Sequence, residues 1–164
     1  MTTRHYNVLF LCTGNSARSV MAEAILNAKG GFQFTAYSAG SHPAGYIHPD
    51  AVKQLQAARL ATDGLRSKSW DEFSQPGAPQ MDFIFTVCDN AAKEVCPVWP
   101  GHPITAHWGL PDPAGVKGTS AERERAFRDA FSTLDRRISL FLALPLAALE
   151  SMSLQNELRR IGRQ

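Results

Sequence analysis

The stretch from Tyr6 to Ser19 constrains the fold of this chain more than any other part of the sequence. It begins with an apolar run that ends at Cys12, continues with five small or polar residues, and closes with Arg18 and Ser19 before a helical pattern starts. This order predicts a buried strand, a tight loop and the N-terminus of a helix. Backbone N–H groups of such a loop can converge on an anion, and the helix dipole adds positive potential there. The stretch therefore predicts an anion-binding loop with a thiol at its start.

The side chains of this loop predict nucleophilic thiol chemistry on a tetrahedral oxyanion. We expect the Cys12 thiol to ionise readily beside the N–H groups, and the thiolate is the nucleophilic form. Arg18 can bind two oxygens of one oxyanion with its planar guanidinium group. Gly14 and Asn15 tolerate the positive φ angles of a tight loop, and Ser19 can hydrogen-bond the thiolate. The alternative is that Cys12 is a buried and inert thiol at a strand end.

Strand and helix patterns alternate along the rest of the chain. The predicted strands are 8–11, 32–38, 81–87 and 104–107. The first predicted helix follows the loop, and the others are 48–58, 89–95, a long helix from an N-cap at Ser120 to Pro145, and 151–161. The segment 67–73 fits a loop that leads into a short helix. Such alternation predicts right-handed βαβ units and an α/β fold whose parallel sheet is covered on both faces. At a length of 164 residues, we expect a single catalytic domain over 1–164.

Composition excludes several classes of function. The net charge at pH 7 is only +2, which gives no reason to expect nucleic acid or a membrane as a partner. No apolar stretch approaches the roughly 18 residues of a transmembrane helix, and the run at 8–11 is too short for a signal peptide. Three cysteines are too few, and odd in number, for a secreted domain held by disulfides. We therefore expect a cytoplasmic protein whose thiols are reduced.

Three chemically useful residues follow predicted strands. Cys12, Cys88 and the loop that carries Asp112 each come after the C-terminal end of a strand. Because ligands of parallel sheets bind beyond these ends, we expect the three residues to lie along one edge. Asp112 stands between Pro111 and Pro113, which restrict the backbone, so its carboxyl group can act as a general acid from a rigid loop. The alternative is that this segment is only a turn.

The loop, its N-terminal position and the later Asp112-Pro113 resemble the low-molecular-weight tyrosine phosphatase family. Further motifs are more specifically similar to the arsenate reductases that share this fold: Cys12–Arg18, Met21-Ala22-Glu23, Ser38-Ala39-Gly40, Val87-Cys88-Asp89, Cys96-Pro97 and His107-Trp108-Gly109. The resemblance covers about residues 5–143 and leaves a C-terminal helical extension over about 145–164. It implies a three-layer sandwich with a four-stranded parallel sheet flanked by helices.

The resemblance also implies roles for individual residues. Cys12 would be the nucleophile and Asp112 the general acid, while Cys88 would attack Cys12 and Cys96 would then attack Cys88. The oxyanion would be held by the loop residues Thr13, Gly14, Asn15, Ser16, Ala17, Arg18 and Ser19. The potassium site of the family would map onto Asn15, Glu23, Ser38 and Asp71. Position 17 is alanine where relatives often have a second loop cysteine, and this change should not impair oxyanion binding.

Downstream residues favour an arsenate reductase over a phosphatase. Ala114 and Gly115 follow the Asp-Pro pair, where a phosphatase of this fold would be expected to have a tyrosine that packs against the substrate ring. Reduction of arsenate to arsenite requires two electrons, which the thiols of Cys88 and Cys96 can help to supply. No tightly bound cofactor is then needed, but an external thiol reductant is: thioredoxin, glutaredoxin with glutathione, or another small thiol. An aryl phosphate phosphatase and a thiol redox sensor are the alternatives.

Overall fold

Four apolar segments form a parallel sheet in the computed structural model, which describes residues 4–88, 103–146 and 151–164, Ser151 by its backbone alone. The strands are β1 (Tyr6–Cys12), β2 (Phe34–Gly40), β3 (Phe83–Thr86) and β4 (Ile104–His107), in the order β2-β1-β3-β4. All three neighbouring pairs are parallel. The predicted α/β class and four-stranded parallel sheet are confirmed.

The helices lie close to their predicted positions. They are α1 (Arg18–Lys29), α2 (Pro49–Ala57), α3 (Ser120–Leu142) and α4 (Ser151–Ile161), with short 3-10 helices at Trp70–Phe73 and Pro113–Gly115. The predicted N-cap of α3 is wrong by one residue, because the Thr119 hydroxyl, not Ser120, accepts the Glu122 N–H at 3.2 Å. The predicted helix at 89–95 lies outside the described residues. Within the described ranges, no helix has the length and apolar character to cross a membrane.

Both faces of β1 are buried, which explains why its hydrophobic run is continuous rather than alternating. Val8 and Phe10 face the larger core, formed with buried side chains of α1, α3 and α4. Leu9 and Leu11 face the other side, where they pack in a cluster with the 3-10 helix at Trp70–Phe73. The central strand is thereby fixed from both sides, and its C-terminal end holds Cys12 in a defined place.

The C-terminal helix α4 packs on the sheet beside β4. The fully buried ring of Trp108 stacks on Phe85 with a centroid distance of 4.0 Å, and its indole N–H donates to the Leu158 carbonyl at 3.0 Å. Leu154, Leu158 and Ile161 belong to the main core. Helix α4 therefore covers a flank of the sheet.

Replacement of Leu158 by alanine should lower the free energy of unfolding by about 3 kcal/mol, because the side chain is fully buried. Met152 on the same helix is 75% exposed, so Met152→Ala should change it by less than about 0.5 kcal/mol. Urea denaturation followed by circular dichroism measures both values. Equal values for the two variants would show that α4 is not part of the cooperatively folded core.

Candidate active site

The site lies between β1 and β3, where the connections from neighbouring strands lead to opposite sides of the sheet. The chain passes from β1 to β2 on one side and to β3 on the other, so a crevice forms beyond the C-terminal ends of β1 and β3. A pocket of about 280 Å³ occupies this position. Its wall is formed by the oxyanion loop and by two residues of a later segment: Cys12, Thr13, Gly14, Asn15, Ser16, Ala17, Arg18, Asp112 and Ala114. Apart from Ser19, all residues predicted to hold the oxyanion line this pocket.

Carbonyl groups of the loop are hydrogen-bonded away from the pocket. The carbonyls of Thr13, Gly14 and Ser16 accept backbone N–H groups at 2.9 Å, from His42, Ala44 and His48 respectively. The Gly14 carbonyl also accepts the Ser67 hydroxyl at 3.1 Å. At the start of α1, the N-cap residue Ala17 has no side-chain hydrogen bond to the first turn. With these carbonyls bonded to the surrounding protein, an anion in the pocket faces the N–H side of the loop and the start of α1.

Asn15 fixes the shape of the loop from within the protein. It has a φ of 46° and is fully buried. Its side-chain amide donates to the Ser19 hydroxyl at 2.8 Å, and its side-chain oxygen accepts the Lys68 N–H at 2.9 Å. Ser19 is the acceptor of the first of these bonds, and the expected bond between Ser19 and Cys12 is absent among the described contacts. Ser19 therefore supports the loop without lining the pocket.

Gly40 allows β2 to approach the loop closely. A Cβ atom at this position would lie 2.4 Å from the Thr13 carbonyl oxygen and 2.9 Å from that of Cys12. Both atoms are backbone, so no side-chain rotation could relieve the contact. Glycine is required here because the loop backbone packs directly against the end of β2.

The Cys12 and Cys88 thiols lie side by side beneath the loop. Both are buried, and the Thr13 N–H donates to the Cys88 sulfur at 3.1 Å. A hydrogen bond to Cys88 and burial raise the pKa of Cys12 far above its usual value, while Arg18 and the Gly14 N–H oppose the rise. The direction of this shift runs against the expectation that Cys12 ionises readily. A sulfur neighbour stabilises the protonated thiol, and that neighbour is not visible from the loop sequence.

Arg18 connects the loop to the segment that carries Asp112. Its guanidinium group donates to the Leu110 carbonyl at 2.9 Å and lies 3.8 Å from an Asp112 carboxylate oxygen. Arg18 is largely buried, whereas the Asp112 side chain is half exposed at the pocket mouth. The other Asp112 oxygen accepts the Ala114 N–H at 3.0 Å. The structure therefore brings the oxyanion loop and Asp112 together, as the positions of Cys12 and Asp112 after strand ends predicted.

Arg137 supports the same segment from behind, a role that the sequence did not reveal. It is 6% exposed on α3, and one guanidinium nitrogen donates to the carbonyls of Trp108 and Gly109 at 2.8 and 3.1 Å. A buried arginine has no distinct sequence pattern inside an amphipathic helix. It ties α3 to the segment that leads to Asp112.

The residues of the implied potassium site do not fit a metal ion. Ser38 donates to Glu23 at 2.6 Å, but the Lys68 ammonium also lies 3.7 Å from the same Glu23 oxygen and is buried. Asp71 is exposed, and its described contacts come from its backbone. Within the described ranges, no group of three or more His, Cys, Asp and Glu residues can hold a metal. Burial raises the pKa of Glu23, while Ser38 and Lys68 oppose the rise.

Two histidines near the ends of elements have structural contacts, and one predicted site residue lies outside the described part of the chain. His48 caps α2 by accepting the Asp50 N–H with its ring nitrogen at 3.1 Å. The His107 ring lies 2.7 Å from the Thr86 hydroxyl at the end of β4. Cys96 lies outside the described residues.

Comparisons with known proteins agree with this fold. The arsenate reductase of Halalkalibacterium halodurans is 35% identical over 134 residues, which cover 82% of this chain and 93% of that protein. The solved arsenate reductase of Archaeoglobus fulgidus is 30% identical with a TM-score of 0.59, over 80% of this chain and 98% of that one. A thioredoxin-dependent arsenate reductase of Corynebacterium glutamicum is 25% identical with a TM-score of 0.56, over 85% of this chain and 65% of that one.

The family model extends the sequence resemblance to most of the chain. It matches residues 7–157, well beyond the predicted limit near 143 and into α4. This agrees with the packing of α4 in the main core. The chain belongs to the low molecular weight phosphotyrosine protein phosphatase family.

Proposed function

We propose that this protein is an arsenate reductase that transfers two electrons from its own thiols to arsenate. The single observation that carries this proposal is the contact between Cys12 and Cys88 beneath the oxyanion loop. A loop of N–H groups with an arginine binds phosphate and arsenate alike, since both are tetrahedral oxyanions. A second thiol next to the first has no use in phosphate hydrolysis, whereas it is required to reduce a thiol adduct.

In the first step, Cys12 forms a bond to arsenic. The protonated thiol condenses with hydrogen arsenate, and the thiol proton, the arsenate proton and one arsenate oxygen leave as water. Asp112, at the mouth of the pocket, takes up the thiol proton and donates it to the departing oxygen as a general acid. Arg18 and the loop amides bind the oxygens that remain on arsenic. The product is a Cys12 thioester of arsenate in which arsenic is still pentavalent.

In the second step, the Cys88 sulfur attacks the Cys12 sulfur. A disulfide forms, the electron pair of the sulfur–arsenic bond moves to arsenic, and the Cys88 proton leaves with the anion. Arsenic is thereby reduced from the pentavalent to the trivalent state, and hydrogen arsenite is released. The two thiols supply both electrons, so no bound cofactor takes part.

Regeneration of the thiols requires an external dithiol or thiol. We propose that Cys96 attacks Cys88 next and presents the resulting disulfide to the reductant. This step is proposed by analogy with the arsenate reductases whose motifs the sequence resembles. The thioredoxin dependence named for the relative from C. glutamicum makes a thioredoxin the first reductant to test. Such a cycle requires reduced thiols at rest, which fits the cytoplasm.

Asp112→Asn should lower the turnover number for arsenate by about 100-fold, because the amide cannot donate the acid proton. Its oxygen can still accept the Ala114 N–H, so the loop should keep its shape. Asp129→Asn on α3 is the matched control, and it should leave turnover unchanged. Steady-state rates with thioredoxin and thioredoxin reductase give both values. A normal rate in Asp112→Asn would leave Asp112 as a turn residue only.

A phosphatase is the second candidate, because the family takes its name from phosphotyrosine hydrolysis. The test compares arsenate reduction with hydrolysis of p-nitrophenyl phosphate by the same preparation. We expect arsenate reduction with thioredoxin or with glutaredoxin and glutathione, and weak hydrolysis, since Ala114 at the pocket gives an aromatic ring no partner. Efficient hydrolysis without arsenate reduction under either reductant would refute the proposal. Thiol oxidation without either activity would instead indicate a redox sensor.

A further inference from the structure

Lys68 is an unusual residue beside the oxyanion loop because its ammonium group is buried. The side chain is 8% exposed, and its nitrogen donates to the Arg66 carbonyl at 2.9 Å. The same nitrogen lies 3.7 Å from Glu23, whose side chain is 13% exposed. Lysine and glutamate are rarely buried unless they are paired, and these two residues form such a pair.

A cation at this position stabilises Glu23 in its charged form. Its carboxylate accepts a hydrogen bond from Ser38 at 2.6 Å, and a buried carboxylate without a counter-charge is strongly disfavoured. Either a metal ion or an ammonium group can supply the positive charge. A potassium ion bound to the same oxygen would lie within a few ångströms of the Lys68 nitrogen and would be repelled by it.

The backbone of Lys68 connects this pair to the active site. Its N–H donates to the Asn15 side chain and its carbonyl accepts the Gly40 N–H, both at 2.9 Å. Asn15 has the positive φ that shapes the loop, and Gly40 packs against the loop carbonyls. The Glu23 carboxylate, which pairs with the Lys68 side chain, therefore also stabilises the position of the Lys68 backbone that contacts Asn15 and Gly40.

We propose that the Lys68 ammonium is a resident cation that replaces a bound potassium ion beside Glu23 and positions the oxyanion loop through Asn15. The oxyanion loop of this chain is then complete without a monovalent metal ion. Lys68 acts as a positioning residue, since it has no described contact with the pocket. The proposal goes beyond arsenate reduction and does not depend on it, because stability and phosphate binding can be measured without turnover.

The test measures thermal unfolding and the dissociation constant for inorganic phosphate in potassium, sodium and choline chloride at equal ionic strength. Wild-type protein should give the same values in all three salts. Lys68→Ala should lower the melting temperature by roughly 10 °C in choline chloride, because Glu23 loses its partner. Potassium should then restore part of the melting temperature and of the phosphate affinity in a saturable way, since the shortened side chain leaves room for the ion.

Two further variants control the experiment. Lys53→Ala removes an exposed lysine of α2 and should show neither loss nor potassium response. Lys68→Met should be destabilised in every salt, because it lacks the positive charge and its side chain leaves no room for potassium beside Glu23. The double variant Glu23→Gln/Lys68→Met should regain stability, because no charge remains buried at this pair.

Four outcomes would overturn the proposal. The first is a saturable effect of potassium on the wild type, and the second is a Lys68→Ala variant that is as stable as wild type. The third is a destabilised Lys68→Ala variant whose stability potassium does not restore. The fourth is a double variant that is no more stable than Lys68→Met. If Lys68→Ala fails to fold, the wild-type salt response and the double variant decide the question.

Discussion

Replacing Cys12 with serine should lower arsenate reduction by at least about 10⁵-fold, because the alcohol is a poor nucleophile and cannot form the disulfide that reduces arsenic. The pocket around the residue should survive, since serine differs from cysteine by one atom and the loop is held by Asn15 and Gly40. The rate is measured from arsenite released under thioredoxin regeneration. An activity within tenfold of wild type would show that another residue is the nucleophile.

Phosphate binding provides the control for this variant. Cys12→Ser should bind inorganic phosphate within a few-fold of wild type in calorimetry, because the loop amides and Arg18 remain. Arg18→Gln should do the opposite: it should weaken phosphate binding and leave the thiols in place. The pair of variants thereby separates oxyanion binding from thiol chemistry, and loss of binding in Cys12→Ser would show that the loop had collapsed.

Local patterns predicted the parts of the site that are continuous in sequence. The loop from Cys12 to Arg18 could be read directly, because a strand, a glycine-containing turn and a helix start each leave a distinct local signal. The C-terminal ends of parallel strands meet at one edge, so Cys88 and Asp112 could also be placed near the loop before any contact was known.

Contacts between distant segments were not predictable in the same way. Lys68 and Glu23 are far apart in sequence, and nothing in the segment around Lys68 indicates that its ammonium group is buried. The raised pKa of Cys12 has the same origin, because it depends on a hydrogen bond to Cys88, which follows β3. Burial and charge pairing are properties of the assembled fold, whereas the pattern of a loop is a property of the chain.

The wrong N-cap predicted for α3 could have been corrected from the sequence nearby. Thr119 and Glu122 have the spacing of a capping box, and the Thr119 hydroxyl accepts the Glu122 N–H. Ser120 is an equally good cap by residue type, so residue type alone could not decide between the two. The position of the glutamate three residues later does decide, because it pairs with Thr119 and not with Ser120.

Replacing Cys88 with serine should stop turnover after formation of the Cys12–arsenate adduct. An intramolecular thiol has an effective concentration far above that of any external thiol, so multiple-turnover reduction should fall on the order of 10⁴-fold. A single equivalent of arsenate should still consume the Cys12 thiol, as measured by loss of alkylation with iodoacetamide. Unchanged turnover in Cys88→Ser with thioredoxin would show that an external thiol, and not Cys88, attacks Cys12.

The same residue should control the protonation of Cys12. The hydrogen bond to Cys88 is the largest cause of the raised pKa of Cys12, so Cys88→Ala should lower that pKa. The rate of Cys12 alkylation should then rise with pH at a lower midpoint than in Cys88→Ser, whose hydroxyl can still hydrogen-bond. Arg18→Gln should shift the midpoint to higher pH, because the guanidinium charge lowers the pKa of Cys12. Opposite shifts in the two variants would show that Cys88 raises and Arg18 lowers the pKa of Cys12, and equal midpoints would contradict both effects.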